Sequence, residues 1–554
     1  MYRNVVSYTE NGQDFVWETT WNNKGERVEL VTPVNPYLYF EDKNATSSKD
    51  KSIFGRPLRF LDWNSSFERK KWIEENKDIM LFDKFSTTKQ YLLDKYWKYD
   101  VTSHEFSQYP LRIFFFDIEV EIQDEFPEAD MALYPINVIS IYDTLTSKVY
   151  VWAYKSDVDK HISEQDKIEV TKSINKEFEE VPIEIYTFDN EKKMLRSFIS
   201  FWTSNYPDVI SGWNIDGFDV NYIINRLNRV LSLTDKTLEP ALLLSPVSKI
   251  DNKSLRKRII VEKAEAQLKR QVIKKKILGI SILDYMNVYK KFLSKSRQSW
   301  KLDSIAKEDL GKGKLDYYDL GYESLKDFMR RDFKTFVKYN IIDTILVKEL
   351  DDERKFMKLL RTICNIGLVD YESIMRTTPY VLGALCVESR KRGMRFLTDT
   401  NRSKEVKSEG YEGAFVFPTA KGYYENGIMS FDFNSLYPNC IMTVNISPET
   451  YIGKVEHSIG DDDPESTYIT LASGKLVKKS NEDFQKLLDT KLAIAGNGSL
   501  FKKSNVQWGI MPSFCDWLYK NRVKVKSEMK KNKQLKKKIS EEIAALEDQL
   551  KSLG

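Results

Sequence analysis

At 554 residues, 41% of them apolar and 13% aromatic, the chain has material for several packed cores, roughly three or four at ~150 residues each, which excludes wholesale disorder. A net charge of +4 neither demands nor excludes a nucleic-acid partner, so the distribution of charge matters more than its total. Four scattered cysteines without a C-x-x-C spacing speak against a disulfide framework or a cysteine zinc site, and three scattered histidines against a histidine-based metal site. With no apolar run near ~18 residues and no leader-like start, the expectation is a soluble cytoplasmic protein without a membrane partner.

The first 110 residues alternate short apolar runs with turn signals, as in "TPVNPYLYF", and predict a small mixed α/β domain. From Leu111 the runs "LRIFFFDIEV", "INVISIYD" and "KVYVWAY" are almost continuously apolar, as strands covered on both faces require. Helical stretches such as "EKKMLRSFISFWTSN" follow, so an α/β, ribonuclease-H-like layout is expected to about Leu346. The Lys- and Arg-rich segment 249–276 reads either as a solvated helix or as a projecting basic hairpin. A helical connector over 352–394 leads to short strands expected around "GAFVFP", "GIMSFDF" and "YITLASGKLV", and Asn-Gly in "GNGSL" marks a hairpin turn. From Pro512 no Gly or Pro interrupts the chain until Gly554; some ~40 helical residues span roughly 60 Å. Leu535, Ile539, Ile543, Leu546, Leu550 and Leu553 form a stripe on that helix that needs a packing partner, whereas the lysines of 530–538 read as a solvated face.

Several acids stand in apolar surroundings. "FFFDIEV" places Asp117 and Glu119 two residues apart on a strand, projecting from one face. Two carboxylates there are costly to bury unless a cation neutralises them; the alternative is an edge strand with a polar outer face. "SGWNIDGFDVNYIINR" sets Asp219 between Phe218 and Val220, and "VKYNIIDTILV" puts Tyr339 and Asp343 four residues apart on one helical face. Each has a bland reading as a cap, a surface acid or half of a salt bridge. Together they are the parts of a two-metal phosphodiester hydrolase.

"FDIEV", "GWN…FD" and "YNIID" resemble the three exonuclease motifs of the B-family DNA polymerases, and within them those of the T-even bacteriophages. "FDNEK", "VNISPETY", "YEGAF" and "FDFNSLYP" extend the resemblance from near the N-terminus to at least Lys526. It implies a multidomain α/β and α+β chain: an N-terminal domain over 1–110 with 345–385 packing back on it, and a ribonuclease-H-like 3′–5′ exonuclease domain over 111–344. A partial ferredoxin-like palm over 386–510 and the first long fingers helix over 511–554 would follow. It also implies that Asp117, Glu119, Asp219 and Asp343 bind two divalent ions, Mg²⁺ first and Mn²⁺ as the alternative. Tyr339 would orient the attacking water, and Asn214 and Phe218 would meet DNA. The 249–276 segment falls where the family places a strand-parting hairpin.

"SFDFNSLYPNC" resembles the family's first palm motif. The likeness makes Asp432 a ligand of both polymerase metals, with the Phe433 carbonyl touching one. Amides near Ser435 and Leu436 would hold the triphosphate of a dNTP, and Tyr437 would lie under its sugar. Arg522 and Lys526 resemble the fingers cations that grip the same triphosphate, and Tyr411 and Gly413 of "YEGAF" the loop that steers the primer. The family's later K-x-x-x-N-S-x-Y-G helix and Y-G-D-T-D-S hairpin have no counterpart in these 554 residues. The expectation is therefore the N-terminal subunit of a split polymerase, or a truncated one, whose second chain supplies the remaining palm, fingers and thumb and any sliding-clamp contact. A free-standing single-strand exonuclease and a non-catalytic DNA-binding module are the alternatives.

Overall fold

The computed structural model describes residues 2–22, 24–42, 44, 49–100, 109–123, 127–155, 162–178, 180–231, 239–267, 270–293, 296–399, 415–456 and 465–552. The chain divides into two compact units. The first comprises 1–37, 62–76 and 85–384, the second 38–61, 77–84 and 385–554.

The first unit opens with an antiparallel three-stranded sheet of β1 (Tyr2–Glu10), β2 (Gln13–Trp21) and β3 (Arg27–Val34). Its larger sheet has six strands: β4 (Ile113–Val120), β5 (Ile136–Asp143), β6 (Lys148–Tyr154), β7 (Ile183–Phe188), β8 (Val209–Gly212) and β11 (Ser281–Asp284). Their spatial order is β7-β6-β5-β4-β8-β11. β4, β5 and β6 run antiparallel, while β4, β8 and β11 are parallel neighbours. This order is consistent with the ribonuclease-H-like layout expected from the apolar runs.

Strand β4 shows why the sheet needs cover on both faces. Phe114, Phe116, Ile118 and Val120 enter one core with α1 (Glu191–Ser204) and α2 (Asp219–Val230). Ile113 and Phe115 enter the opposite core, beneath α3 (Phe333–Arg354), and alternation puts Asp117 and Glu119 on that same side. Helix α3 is pinned to β5 by a 2.6 Å bond between the Ser140 and Thr344 hydroxyls. It runs continuously through the expected boundary at 344/345. The helical connector behind it returns to β1, where the Tyr2 hydroxyl donates to the Val369 carbonyl at 2.7 Å.

The basic segment resolves into a short helix, Lys253–Arg256, and an antiparallel hairpin of β9 (Ile260–Gln267) and β10 (Arg270–Ile277). The solvated-helix reading fails for most of its length, because Ile260, Val261, Val272 and Ile273 favour a pleated ladder.

The second unit holds a small four-stranded sheet ordered Leu397–Asp399, Leu81–Phe82, Tyr37–Glu41, Leu58–Asp62. It also holds an antiparallel five-stranded sheet ordered Leu476–Ser480, Ser466–Leu471, Tyr451–Val455, Ser499–Lys502, Leu492–Ile494. The Asn-Gly turn joins the last two strands as expected. Among the described residues no strand forms around "GAFVFP" or "GIMSFDF": 415–434 is irregular, and Phe417, Ile428 and Phe431 are exposed. A strand needs a ladder partner, and among the described residues none pairs with this stretch.

Helix α4 (Leu436–Val444) is followed by a buried socket for the last helix, α5 (Ile510–Ser552). The Asn445 side-chain oxygen accepts from Gly509 N–H at 2.9 Å, Glu449 from Ile510 N–H, and the Ser447 hydroxyl from Met511 N–H at 3.3 Å. These bonds satisfy donors that a helix start leaves orphaned. On α5, Leu535, Ile539, Ile543 and Leu546 are exposed, as the stripe requires; the side chains of Leu550 and Leu553 lie outside the described residues. Among the described residues no helix is long and apolar enough to cross a membrane.

Candidate active site

Strand β8 pairs with β4 only as far as Phe115, so the following stretch of β4 is left without that neighbour. Into this gap comes Asp219, from the first turn of α2, whose Oδ1 accepts the Ile118 N–H at 3.1 Å. The chain reaches α2 through a tight loop after Gly212, where a Cβ would collide with the Phe116 carbonyl oxygen and the Ile215 side chain. Asp284, at the end of β11, steadies the loop by accepting from the amides of Asn214 at 3.3 Å and Asp216 at 3.4 Å. From the hairpin, Lys274 pairs with Asp216 at 3.0 Å.

On the α3 side, one carboxylate oxygen each from Asp117, Glu119 and Asp343 lie within 4.8 Å of one another. Asp219 stands beside this group rather than in it, with one of its oxygens on the Ile118 amide. Two residues that no sequence pattern singled out complete the setting. Asn340 donates from Nδ2 to Asp117 Oδ2 at 2.6 Å. Lys314, from the coil before the helix Leu325–Arg331, pairs with Asp343 and lies 3.3 Å from the Tyr339 hydroxyl. A buried amide inside an apolar helical run, "YNIID", was the available signal for Asn340. "GKGKLD" offered none for Lys314.

Crowded acids resist ionisation. Burial, then repulsion from Asp343 and Asp219, pushes Glu119 up to about 8, with Lys314 opposing. Burial pushes Asp219 up to about 7 against the pull of the Ile118 amide. Asp117 rises well above the carboxylate range through burial and the fields of Asp219, Asp343 and Glu119. Lys314 is held protonated, since the fields of Asp343, Tyr339 and Asp117 outweigh its own burial. Such a group fits a hard divalent cation: its donors are all carboxylate oxygens, and Asp343 Oδ1 is buried without a protein partner.

The remaining expected residues are spread differently. Asn214, with φ of 65°, is exposed on the loop before α2, and Phe218 is half-buried against Tyr222 at 5.1 Å between ring centres. In the second unit Asp432, Phe433, Leu436 and Tyr437 are exposed at the start of α4. Arg522 of α5 donates to the Ser435 hydroxyl at 2.9 Å, which brings together two of the expected triphosphate residues. Lys526 is exposed one turn beyond Arg522. Tyr411 and Gly413 lie outside the described residues.

Residues 58–305 match the family model "DNA polymerase family B, exonuclease domain", and 373–544 match "DNA polymerase family B". The chain belongs to DNA polymerase family B. It is 30% identical over 455 residues to the DNA-directed DNA polymerase of Escherichia phage RB69, covering 79% of this chain and 46% of that protein. It is 31% identical over 420 residues to the corresponding enzyme of Enterobacteria phage T4, covering 74% and 43%. The DNA polymerase delta catalytic subunit of Candida albicans is 26% identical over 360 residues, 63% of this chain and 30% of that protein. The chain thus spans less than half the length of these relatives.

Proposed function

We propose that this chain is the editing part, and one side of the synthetic part, of a phage-type replicative DNA polymerase working in the host cytoplasm. It would act as a 3′–5′ exonuclease on the single-stranded 3′ end of a primer–template. The observation that carries this reading is the meeting of Asp117, Glu119 and Asp343, with Asp219, Tyr339 and Lys314 beside them; Asp117, Glu119 and Asp219 fall inside the region that matches the exonuclease family model, and the other three follow it in the chain. We assign this activity to 111–344, an N-terminal domain to 1–110 with 345–385, a partial palm to 386–510 and the first fingers helix to 511–554.

Asp117, Glu119, Asp219 and Asp343 would hold two divalent ions, Mg²⁺ by preference. Such ions supply an activated water and charge neutralisation for the leaving oxygen. Lys314 keeps the Tyr339 phenol oriented for that water, and Asn214 and Phe218 receive the terminal nucleotide.

Asp432 and the Phe433 carbonyl would bind metal for synthesis, with Ser435, Leu436, Tyr437, Arg522 and Lys526 around the incoming dNTP and Tyr411 and Gly413 along the primer. The Arg522–Ser435 contact favours this grouping. The second catalytic acid and any sliding-clamp contact are assigned to family sequence outside these 554 residues, in the same or a further polypeptide, which would cover the exposed 415–434 stretch and the apolar stripe of α5.

Incubating the purified chain with Mg²⁺ and a 5′-labelled single strand tests the first claim: stepwise shortening from the 3′ end is expected, slowed about 10²-fold or more in D117A. No shortening, or shortening at the wild-type rate in D117A, overturns it. Adding a polypeptide that carries the remaining family sequence tests the second, with nucleotide incorporation expected. Its failure would leave a free-standing exonuclease, and DNA binding with neither activity a non-catalytic module.

A further inference from the structure

Helix α3 carries one polar side chain whose burial the apolar core does not explain. Asn340 is completely buried, yet it lies among Ile341, Ile342 and Ile345, where an aliphatic residue would pack without any polar group to satisfy. Its Nδ2 donates to Asp117 Oδ2 at 2.6 Å, while its Oδ1 is buried with no protein partner. An amide oriented for its own satisfaction would use both ends. This one is oriented by the Asp117 carboxyl group, through a 2.6 Å bond that offsets the cost of the idle oxygen.

We infer that Asn340 is a positioning residue that holds the Asp117 carboxylate in its cation-binding orientation, with one oxygen tethered and the other presented to the metal. The inference rests on the exonuclease reading above and concerns the same site. Two features of the geometry favour an amide for this task. The donor is neutral, so it fixes the carboxylate without cancelling the charge that attracts a cation; Lys314, by contrast, neutralises Asp343 directly. The tether comes from the helix that also supplies Asp343, so Asp117 on β4 and Asp343 on α3 are held in mutual register. Once these acids ionise, repulsion from Glu119, Asp219 and Asp343 would push Asp117 out of this arrangement, and the amide opposes that drift.

Partners that orient metal-binding side chains are typically worth about 10–100-fold in affinity. Mn²⁺ binding by the full chain, followed by titration calorimetry and by the electron paramagnetic resonance of free Mn²⁺, reads this directly, without DNA. N340A is expected to weaken Mn²⁺ binding by about tenfold or more, and N340D, which replaces the donor with a fifth carboxylate beside Asp117, to disturb it further. The Mg²⁺ concentration for half-maximal 3′ hydrolysis should rise with N340A in the same proportion, with the rate largely restored at saturating metal. T344V, which removes a helix–sheet bond from the same helix, should lower thermal stability and leave Mn²⁺ affinity unchanged.

Wild-type Mn²⁺ affinity in either folded Asn340 variant would overturn the inference. So would an equal loss in T344V, since the effect would then be structural. D117A separates the two levels: loss of binding there with none in N340A sinks only the role of Asn340, whereas unchanged binding and hydrolysis in D117A sink the exonuclease reading itself.

Discussion

Asp117 and Asp432 begin from similar strings, "FFFDIEV" and "SFDFNSL", each an acid set among phenylalanines. Their surroundings differ sharply. Phe116 is 2% exposed within a six-stranded sheet, whereas Phe431 is 88% and Phe433 78% exposed on an irregular segment. Asp117 has Asn340 on one oxygen, Glu119 and Asp343 within ligand distance and Lys314 close behind them. Asp432 has no such company among the described residues. The contrast teaches that an acid in aromatic sequence becomes a site only where neighbouring strands and helices crowd it. Crowding raises the cost of its charge until a cation relieves that cost.

The largest effect should come from removing a crowded acid. D117A is expected to slow 3′ hydrolysis by about 10²–10³-fold, equivalent to about 3–4 kcal/mol of transition-state stabilisation. D432A should leave hydrolysis at the wild-type rate in a gel assay of labelled single strands. Comparable losses in both would erase the distinction between the two regions.

Next in size is the loss of the cation that the site already contains. Replacing Lys314 by Met leaves Asp343 uncompensated and should destabilise the metal-free chain by up to about 3 kcal/mol. Thermal melts should then show a larger gain from added Mn²⁺ in K314M than in the wild type, because the ion meets a more negative site.

A smaller, pH-dependent effect follows from the raised acids. Glu119 ionises near 4.5 when unfolded and at about 8 when folded, so the folded state binds the extra proton between these values. Stability of the EDTA-treated chain is therefore highest below about pH 4.5 with respect to this group, and is lost as pH rises through about 8. Urea unfolding across this range should show that fall, and excess Mg²⁺ should flatten it. A metal-free profile without the fall would mean that the acids are better solvated than their burial implies.

The smallest effect belongs to the exposed helix. Leu546→Asp should change the melting of the isolated chain within about ±0.5 kcal/mol, as expected of an open surface position. The same variant should weaken pull-down of the complementing polypeptide. Large destabilisation of the chain alone would show that the stripe already packs within this molecule.

Much of the exonuclease region was legible beforehand because its signals are local. β4, β5 and β6 announce themselves as apolar runs, and Asp117, Glu119, Tyr339 and Asp343 stand at spacings that alternation or one helical turn explains. Lys314 was not legible, since it reaches the acids from a coil in which a charged residue is unremarkable. Asn340 reads as an interruption of an apolar helix until Asp117 is seen across from it. The strands expected at "GAFVFP" and "GIMSFDF" failed for the complementary reason: apolar sequence describes what a segment can bury, but a ladder depends on a neighbour elsewhere in the chain.

The socket of Asn445, Ser447 and Glu449 acquires a mechanical meaning from the length it supports. Helix α5 has 43 residues and extends roughly 65 Å from those three side chains. Rotation about the socket by about 5° carries the far end some ~5 Å but Arg522, about 18 Å along, only ~1.5 Å. The cations nearest Ser435 therefore sit close to the fulcrum, where motion is fine, and the apolar stripe rides near the tip, where it is coarse. A grip at the tip would move Arg522 with a mechanical advantage of about three to one or more, and the buried carboxylate of Glu449 lies at the fulcrum of that lever.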